Sequence, residues 1–450
     1  MALSLGWHII IACFGMTFPA MIFVLHRRGL AGDKDALELA KRWSKVAGVL
    51  FAIGAVSGTV LSFEMGLLWP GLMDTYGDVI GLAFALEGIA FFVEAIFLGI
   101  YIYGWGRIPD RLHVLMLLPI VLSGIAGSFL VVSVNGWMNA PTGFVLVDGR
   151  PTDIDPVAAI FNSAAGLQFI HMYLAAVMVV GFSAAGVYAM GWLRGRRDRL
   201  HWLGIVVPLV FASIASPIQP IVGHFAGQRL ADEQPAKLAA MEALAETTAG
   251  ARLEVGGWWN GEELVGAIEV PVDGLLSFIA TNDFDAEIIG LNQIPEDEQP
   301  PVAIVHIAFI TMVGIGTALA GLASLAAWRA LRRRDAFLES RLFLWALVLA
   351  GPAAVLAMET GWITTEVGRQ PWIVHGLLRT EDAVTDANYI WVTLSILIVV
   401  YAVMTIGAVG VIRSMSRRWR AGETDLPSPY GPTEIERLVE QAEELEGSNS

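Results

Sequence analysis

Eight side chains that could ligate a metal or carry a proton lie inside long apolar stretches of this sequence: His8, Glu64, Glu87, Glu94, His171, Met312, Glu359 and Glu366. An ionisable group in an apolar span is costly, and it is a functional hypothesis by default. Imidazole and thioether groups ligate haem iron, and buried carboxylates relay protons. These residue types therefore favour a haem protein or a proton carrier.

The candidates divide by chemistry. His171 and Met312 could close both axial positions of one haem iron, an arrangement typical of electron transfer. A site that binds oxygen needs an open position, which His8 as a single ligand would leave. Glu366 is a weaker candidate ligand. Glu87 and Glu94 are seven residues apart, so they share one face of a helix and could form a proton relay.

Each candidate also has a structural interpretation. A lone buried histidine is often satisfied by hydrogen bonds, and a methionine in an apolar span usually fills space. Glu359 and Glu366 could pair with Arg369 or Arg379. Lys237 and Glu242 are five residues apart on a predicted helix, about 140° around its axis, which favours a solvated surface for this pair.

Composition restricts the class of protein. The 450 residues are 55% hydrophobic and 16% charged, whereas soluble domains carry about 25% charged residues. The net charge of −15 argues against nucleic acid as a partner, which requires a basic surface. Cys13 is the single cysteine, so disulfides, CxxC zinc sites and CxxCH haem attachment are excluded.

Apolar stretches of about 20 residues, the length that crosses a bilayer, predict an all-α integral membrane protein with nine transmembrane helices. The predicted spans are 5–25, 46–69, 79–105, 112–134, 164–193, 202–223, 302–328, 342–366 and 388–412. Alternate connections and the tail carry 22 of the 28 Lys and Arg residues, which predicts an external N-terminus and a cytoplasmic C-terminus.

The spans divide the chain into four parts. Helices one to six occupy 1–225, a long external loop occupies 226–301, helices seven to nine occupy 302–413, and an acidic cytoplasmic tail occupies 414–450. Within the loop, residues 234–244 are predicted to be helical, with Pro235 in the first turn.

One motif is specific to a family. The segment Glu359–Trp372, ETGWITTEVGRQPW, resembles the GWxxxExGRQPW signature of subunit I of cytochrome bd-type quinol oxidases. Further matches occur in order along residues 5–415: His8, LEG at 86–88, FFVE at 91–94, NGWMN at 135–139, FIH at 169–171, KLAAME at 237–242 and Met312. The resemblance agrees with the nine-span topology.

The resemblance implies a set of cofactors and ligands. His171 and Met312 would ligate a low-spin haem b, while His8 and Glu366 would serve a high-spin pair. In that pair we expect His8 at haem d, with Glu87 nearby, and Glu366 at haem b, although haem b in place of haem d stays open. Arg369, Trp362 and Trp372 would contact haem, with Arg369 and Trp372 at the propionates.

The resemblance also implies the reaction. Lys237 and Glu242 would contact or orient quinol, which is oxidised at the outer face, while Glu94 and Glu87 would carry cytoplasmic protons to the site where O2 is reduced to water. The reaction would generate a proton gradient without pumping. Implied partners are a second large membrane subunit, small single-span subunits and the bilayer of the bacterial inner membrane.

Two features depart from parts of the family. The external loop is short, resembling the short-loop subclass, and Ile310 stands where some relatives carry an arginine two residues before the methionine. The same residue types suit two other functions. A haem–copper oxidase is disfavoured because it needs a dense set of core histidines. A haem-free, proton-coupled transporter using Glu64, Glu87 and Glu94 predicts a colourless protein.

Overall fold

The computed structural model describes residues 1–332 and 337–422. From residue 423 onward the predicted acidic tail lies outside the described residues. Within the described ranges, nine helices are long and apolar enough to cross a membrane. The prediction of a mostly helical, nine-span protein is therefore confirmed.

The fold contains fourteen α-helices and eight short strands within the described ranges. The helices are α1 Ala2–Leu30, α2 Lys34–Leu68, α3 Pro70–Tyr103, α4 Asp110–Leu115, α5 Leu117–Asn139, α6 Pro156–Ile160, α7 Ala165–Leu193, α8 Arg199–Glu233, α9 Pro235–Glu242, α10 Leu275–Thr281, α11 Val302–Arg332, α12 Arg341–Val367, α13 Thr380–Ala383 and α14 Ile390–Ala421. The strands are β1 Val145–Val147, β2 Arg150–Thr152, β3 Thr248–Ala249, β4 Glu254–Trp259, β5 Leu264–Glu269, β6 Glu287–Ile288, β7 Trp372–Val374 and β8 Leu378–Arg379. Helices α4 and α5 together form one candidate span.

The chain divides into two compact units. The first comprises Met1–Gly6, Leu61–Glu87 and Ser128–Asp386. Its centre is a bundle in which α7 contacts α8 and α12, and α11 contacts α8 and α12. Small residues let these backbones approach closely, since a Cβ at Gly186 of α7 would lie 2.8 Å from the carbonyl oxygen of Leu347 on α12.

The second unit comprises Trp7–Val60, Gly88–Gly127 and the described residues from Ala387 to 422. Trp7 of α1 stacks on Tyr401 of α14 with ring centroids 4.6 Å apart, and the Trp7 indole donates a hydrogen bond to Thr405 Oγ1 at 2.9 Å. These contacts fix the part of α1 that carries His8.

Between α8 and α11 the structure differs in part from the sequence-based expectation. Helix α8 continues through Glu233, eight residues into the predicted loop, and α9 confirms the predicted loop helix. The expectation included no strands, yet β3 pairs with β6 and β4 with β5, both antiparallel. Glycines at 256, 257 and 266 with positive φ interrupt the side-chain alternation by which a strand is recognised in a sequence. Residues 234–301 are called the connecting segment below.

Candidate active site

His171 on α7 faces helix α8. A Cβ at Gly223 would lie 3.3 Å from the His171 Cε1, so the glycine makes room for the ring. The ring Nε2 is 3.2 Å from the amide nitrogen of Gln219, whereas Nδ1 is buried without a hydrogen-bond partner among the described residues. A buried polar atom without a partner is costly, so one nitrogen of the His171 ring is left for a group bound from outside the chain, and imidazole is a residue type that ligates haem iron.

Met312 on α11 faces α12 of the same bundle. A Cβ at Gly361 would lie 2.9 Å from the Met312 sulfur, a distance that real Cβ atoms do not adopt. The sulfur therefore occupies space that a missing side chain leaves on the neighbouring helix. A thioether held in this way fits the second axial ligand of a His/Met haem.

His8 on α1 is oriented by Ser57 of α2, since the two lie 2.7 Å apart between Nδ1 and Oγ. The Ser57 hydroxyl donates its own hydrogen to the carbonyl oxygen of Gly54 at 3.0 Å. It must therefore accept from Nδ1–H, which leaves the lone pair on Nε2. A hydrogen bond from the other ring nitrogen is what orients the histidine ligands of metals, so His8 also fits a ligand of haem iron.

Glu366 lies at the end of α12 with both carboxylate oxygens engaged. Oε1 accepts a hydrogen bond from the Asn135 amide, and Oε2 forms an ion pair with Arg369 Nη2 at 2.6 Å. The structural alternative, a pair with Arg369, is thus present. A carboxylate oxygen has a second lone pair, so the pairing leaves Glu366 able to bind a metal.

Arg369 is buried, with 2% of its surface exposed. Its Nε and Nη1 have no hydrogen-bond partner among the described residues. A buried guanidinium with two free donors fits a carboxylate bound from outside the chain, because arginine pairs with carboxylates through parallel hydrogen bonds. The site therefore fits a haem propionate.

Lys237 on α9 is not on a solvated surface, as its spacing from Glu242 had suggested, but buried with 4% exposure. Its Nζ donates a hydrogen bond to Asn139 Oδ1 at 2.6 Å. Burial and, to a smaller extent, nearby Arg369 lower the pKa of Lys237 to about 7, and Glu366 opposes both effects. Lys237, Glu366 and Arg369, to which the sequence assigned three separate roles, thus belong to one cluster.

Glu242 ends α9. Burial raises the pKa of its carboxyl to about 7. Helix α9 therefore carries one acid and one base that both titrate near neutral pH, in the region the sequence assigned to quinol.

These two pKa values predict opposite effects on stability. Glu242 binds its proton more tightly in the folded state, so its contribution to the free energy of unfolding falls as the pH rises from about 4.5 to 7. Lys237 binds its proton less tightly in the folded state, so its contribution to the free energy of unfolding increases as the pH rises from about 7 to 10.5. Each slope approaches about 1.4 kcal/mol per pH unit. Thermal unfolding of the purified protein between pH 5.5 and 8.5 measures both.

Two variants separate these slopes. Glu242→Gln should flatten the dependence below pH 7 and leave the dependence above it, while Lys237→Met should do the reverse. Unchanged slopes in both variants would refute the assignment.

The relay candidates lie on α3. The Glu94 carboxylate lies near Gly15 of α1 and Gly124 of α5, where added Cβ atoms would be 3.4 and 3.9 Å from its oxygens. Glu87 lies seven residues earlier on α3 and is partly buried. Glu64 accepts a hydrogen bond from Ser4 at 2.8 Å and is 3.5 Å from the Met1 amino group, which gives it a structural role.

The two tryptophans predicted to contact haem differ in their surroundings. Trp362 is partly buried on α12. Trp372 on β7 packs under the guanidinium of Arg379, 5.2 Å from the ring centroid, so a polar partner from the chain already covers one of its faces.

Sequence reasoning missed the groups that hold these side chains. Ser57, Gln219 and Asn139 contact predicted site residues, but none was assigned a role. A signal existed for Asn139, because Asn135 and Asn139 are four apart in the NGWMN motif and so share a helix face.

Comparison with known proteins identifies the family. The family model for cytochrome bd terminal oxidase subunit I matches residues 1–419. The chain belongs to this family. Membership places it in the class of quinol:oxygen oxidoreductases and among multi-pass bacterial membrane proteins, and haem binding is expected of the family.

Two relatives come from Bacillus subtilis (strain 168). One, provisionally named cytochrome bd menaquinol oxidase subunit I, is 36% identical over 91% of this chain and 93% of its own length. The other, cytochrome bd ubiquinol oxidase subunit 1, is 31% identical over 78% of this chain and 76% of its own. The structure of bd oxidase from Geobacillus thermodenitrificans matches with a TM-score of 0.87 and 36% identity, covering 93% of this chain and 96% of that one.

Proposed function

We propose that this chain is the haem-bearing subunit of a quinol oxidase that oxidises quinol at the outer membrane face and reduces O2 to water with cytoplasmic protons. The observation that carries the proposal is His171, whose buried Nδ1 lacks a partner in the bundle that also holds Met312. Charge separation follows from the opposite origins of the two sets of protons and needs no pump.

Four side chains would hold the iron atoms. His171 and Met312 would ligate the low-spin haem b, His8 the haem d, or a haem b in its place, and Glu366 the high-spin haem b. Arg369 would pair with a propionate, and Trp362 and Trp372 would lie beside haem. Haem held by these residues would supply one-electron transfer and oxygen binding.

Quinol oxidation requires a proton acceptor at the substrate. The Glu242 carboxylate can take a proton from a quinol hydroxyl near neutral pH, because its pKa is about 7. Lys237 would orient quinol, with its Nζ held by a hydrogen bond to Asn139 Oδ1 and influenced by the charges of Arg369 and Glu366.

The direction of proton uptake rests on orientation. The basic connections favour an external N-terminus, which places Glu94 deeper from the outer face than Glu87 on α3. Glu94 would pass protons outward to Glu87. The complex would reside in the bacterial inner membrane with a second large subunit and small single-span subunits.

An absorption spectrum of the purified complex, followed by pyridine haemochrome analysis, tests the proposal. We expect a Soret band and haem b, with a long-wavelength chlorin band if haem d is present. A colourless complex would refute the proposal and favour the proton-coupled transporter with Glu64, Glu87 and Glu94.

Glu94→Gln should slow oxygen reduction on the order of 100-fold, the usual contribution of a positioned proton-transfer group, while quinol still binds. Oxygen consumption and quinol affinity measure the two effects. The matched control is Glu38→Gln, which removes an exposed carboxylate paired with Arg42. Equal turnover in both variants would exclude Glu94 from the relay.

A further inference from the structure

His306 on α11 has no role in the proposed reaction. Its side chain is nevertheless buried, with 1% exposure, and both of its ring nitrogens lie within hydrogen-bonding distance of a carbonyl oxygen. Nδ1 is 2.8 Å from the carbonyl oxygen of Met241 on α9, and Nε2 is 3.1 Å from the carbonyl oxygen of Gly256 on β4. One side chain of α11 thus contacts two elements of the connecting segment.

Both partners can only accept hydrogen bonds. A neutral imidazole carries one N–H, whereas the imidazolium form carries two. In the neutral ring, one bare nitrogen would point its lone pair at a carbonyl oxygen. Both bonds therefore form only when His306 is doubly protonated.

The backbone on each side suits a cation. The Met241 carbonyl lies in the last turn of α9, where carbonyls lack partners within the helix and the helix dipole favours positive charge. On β4, Gly256 and Gly257 have φ values of +79° and +82°, a conformation open to glycine. From there the Gly256 carbonyl is presented to His306.

We propose that His306 is a proton-dependent positioning residue that fastens α9 and β4 of the connecting segment to α11. When His306 loses one proton, one of the two hydrogen bonds is lost, and the connecting segment near Glu242 is held less tightly against α11. This inference rests on the proposed function only in taking the connecting segment as the quinol side.

Other groups near this region also titrate or carry charge. The elements packed against α11 carry Lys237 and Glu242 on α9, Glu254 on β4, His224, Arg229, Asp232 and Glu233 in the last turns of α8, and Glu359 and Glu366 on α12, with Arg369 just beyond it. Lys237 and Glu242 both have pKa values of about 7, so the experiment must separate their effects from the effect of His306.

Hydrogen–deuterium exchange of the intact complex between pH 5.5 and 8.5, corrected for intrinsic exchange, tests the inference. We expect peptides covering 238–245 and 250–260 to exchange about tenfold faster once the proton is lost, the effect of losing one charge-assisted hydrogen bond. Over the same range the quinol KM of the wild-type protein should rise.

Variants assign this step to His306. His306→Gln should lose the tenfold step and keep only the pH dependence that Lys237 and Glu242 contribute, whereas His224→Gln on α8, Glu242→Gln and Lys237→Met should each retain the step. A wild-type protein without the step, or a step that persists in His306→Gln, would overturn the inference. If His306→Gln does not assemble, loss of the step in Glu242→Gln or Lys237→Met would overturn it as well. The exchange step is independent of haem, so a colourless complex that shows it would refute the proposed function alone.

Discussion

His171→Ala is expected to abolish the low-spin haem spectrum and with it electron transfer from quinol. The His171 Nδ1 is buried without a hydrogen-bond partner in the described part of the chain. Alanine offers no ligand and leaves a cavity between α7 and α8. The expected effect is loss of the signal rather than a shift, and haem content with reduced-minus-oxidised difference spectra measures it.

Two further variants sharpen this test. Met312→Leu keeps a similar volume beside Gly361 but removes the sulfur, so the six-coordinate signal should be lost while the fold remains. His201→Gln, which changes a histidine paired with Asp198 at the start of α8, should leave the spectrum unchanged. A normal low-spin spectrum in both His171→Ala and Met312→Leu would show that other side chains hold the iron.

Arg369→Met is expected to destabilise the protein by about 3 kcal/mol, because removing one partner of a buried ion pair leaves the other charge uncompensated. The Arg369 side chain is 1% exposed, and that of Glu366 is 26% exposed. Partial solvation of Glu366 places the expected loss at the lower end of the usual range. Thermal unfolding measures the loss, and haem retention should fall in parallel if the free donors hold a propionate.

Arg379→Met is the matched control. Arg379 forms an ion pair with Asp297 and packs over Trp372, but its partner is largely exposed. Surface ion pairs of this kind contribute little to stability, so the midpoint of thermal unfolding should hardly change. Equal losses of stability in Arg369→Met and Arg379→Met would mean that the buried ion pair of Arg369 contributes no more to stability than a surface pair.

The nine helices could be predicted because a bilayer imposes a length and an apolar composition on any span. The candidate ligands could be predicted because ionisable groups stand out against that background. Arg369 was identified from the family motif alone. That two of its donors lack a partner depends on how the chain folds at the end of α12, which the sequence does not reveal.

The environment of α9 could not be predicted. Lys237 looked solvent-exposed because its five-residue spacing from Glu242 spreads the two charges around a helix. The structure buries it, since Gly368 leaves room for its aliphatic stem: a Cβ there would lie 3.0 Å from Lys237 Cγ. The two bonds of His306 join residues 65 and 50 positions apart, a pairing that no local pattern encodes.

Helix α9 has a consequence for every measurement made on this protein at neutral pH. Below about pH 6 Lys237 is cationic and Glu242 neutral; above about pH 8 Lys237 is neutral and Glu242 anionic. A sample buffered at pH 7 is thus a mixture of protonation microstates, and the eight-residue helix changes its net charge by two units over a narrow interval. Kinetic and spectroscopic data collected on either side of that interval describe two electrostatically different enzymes.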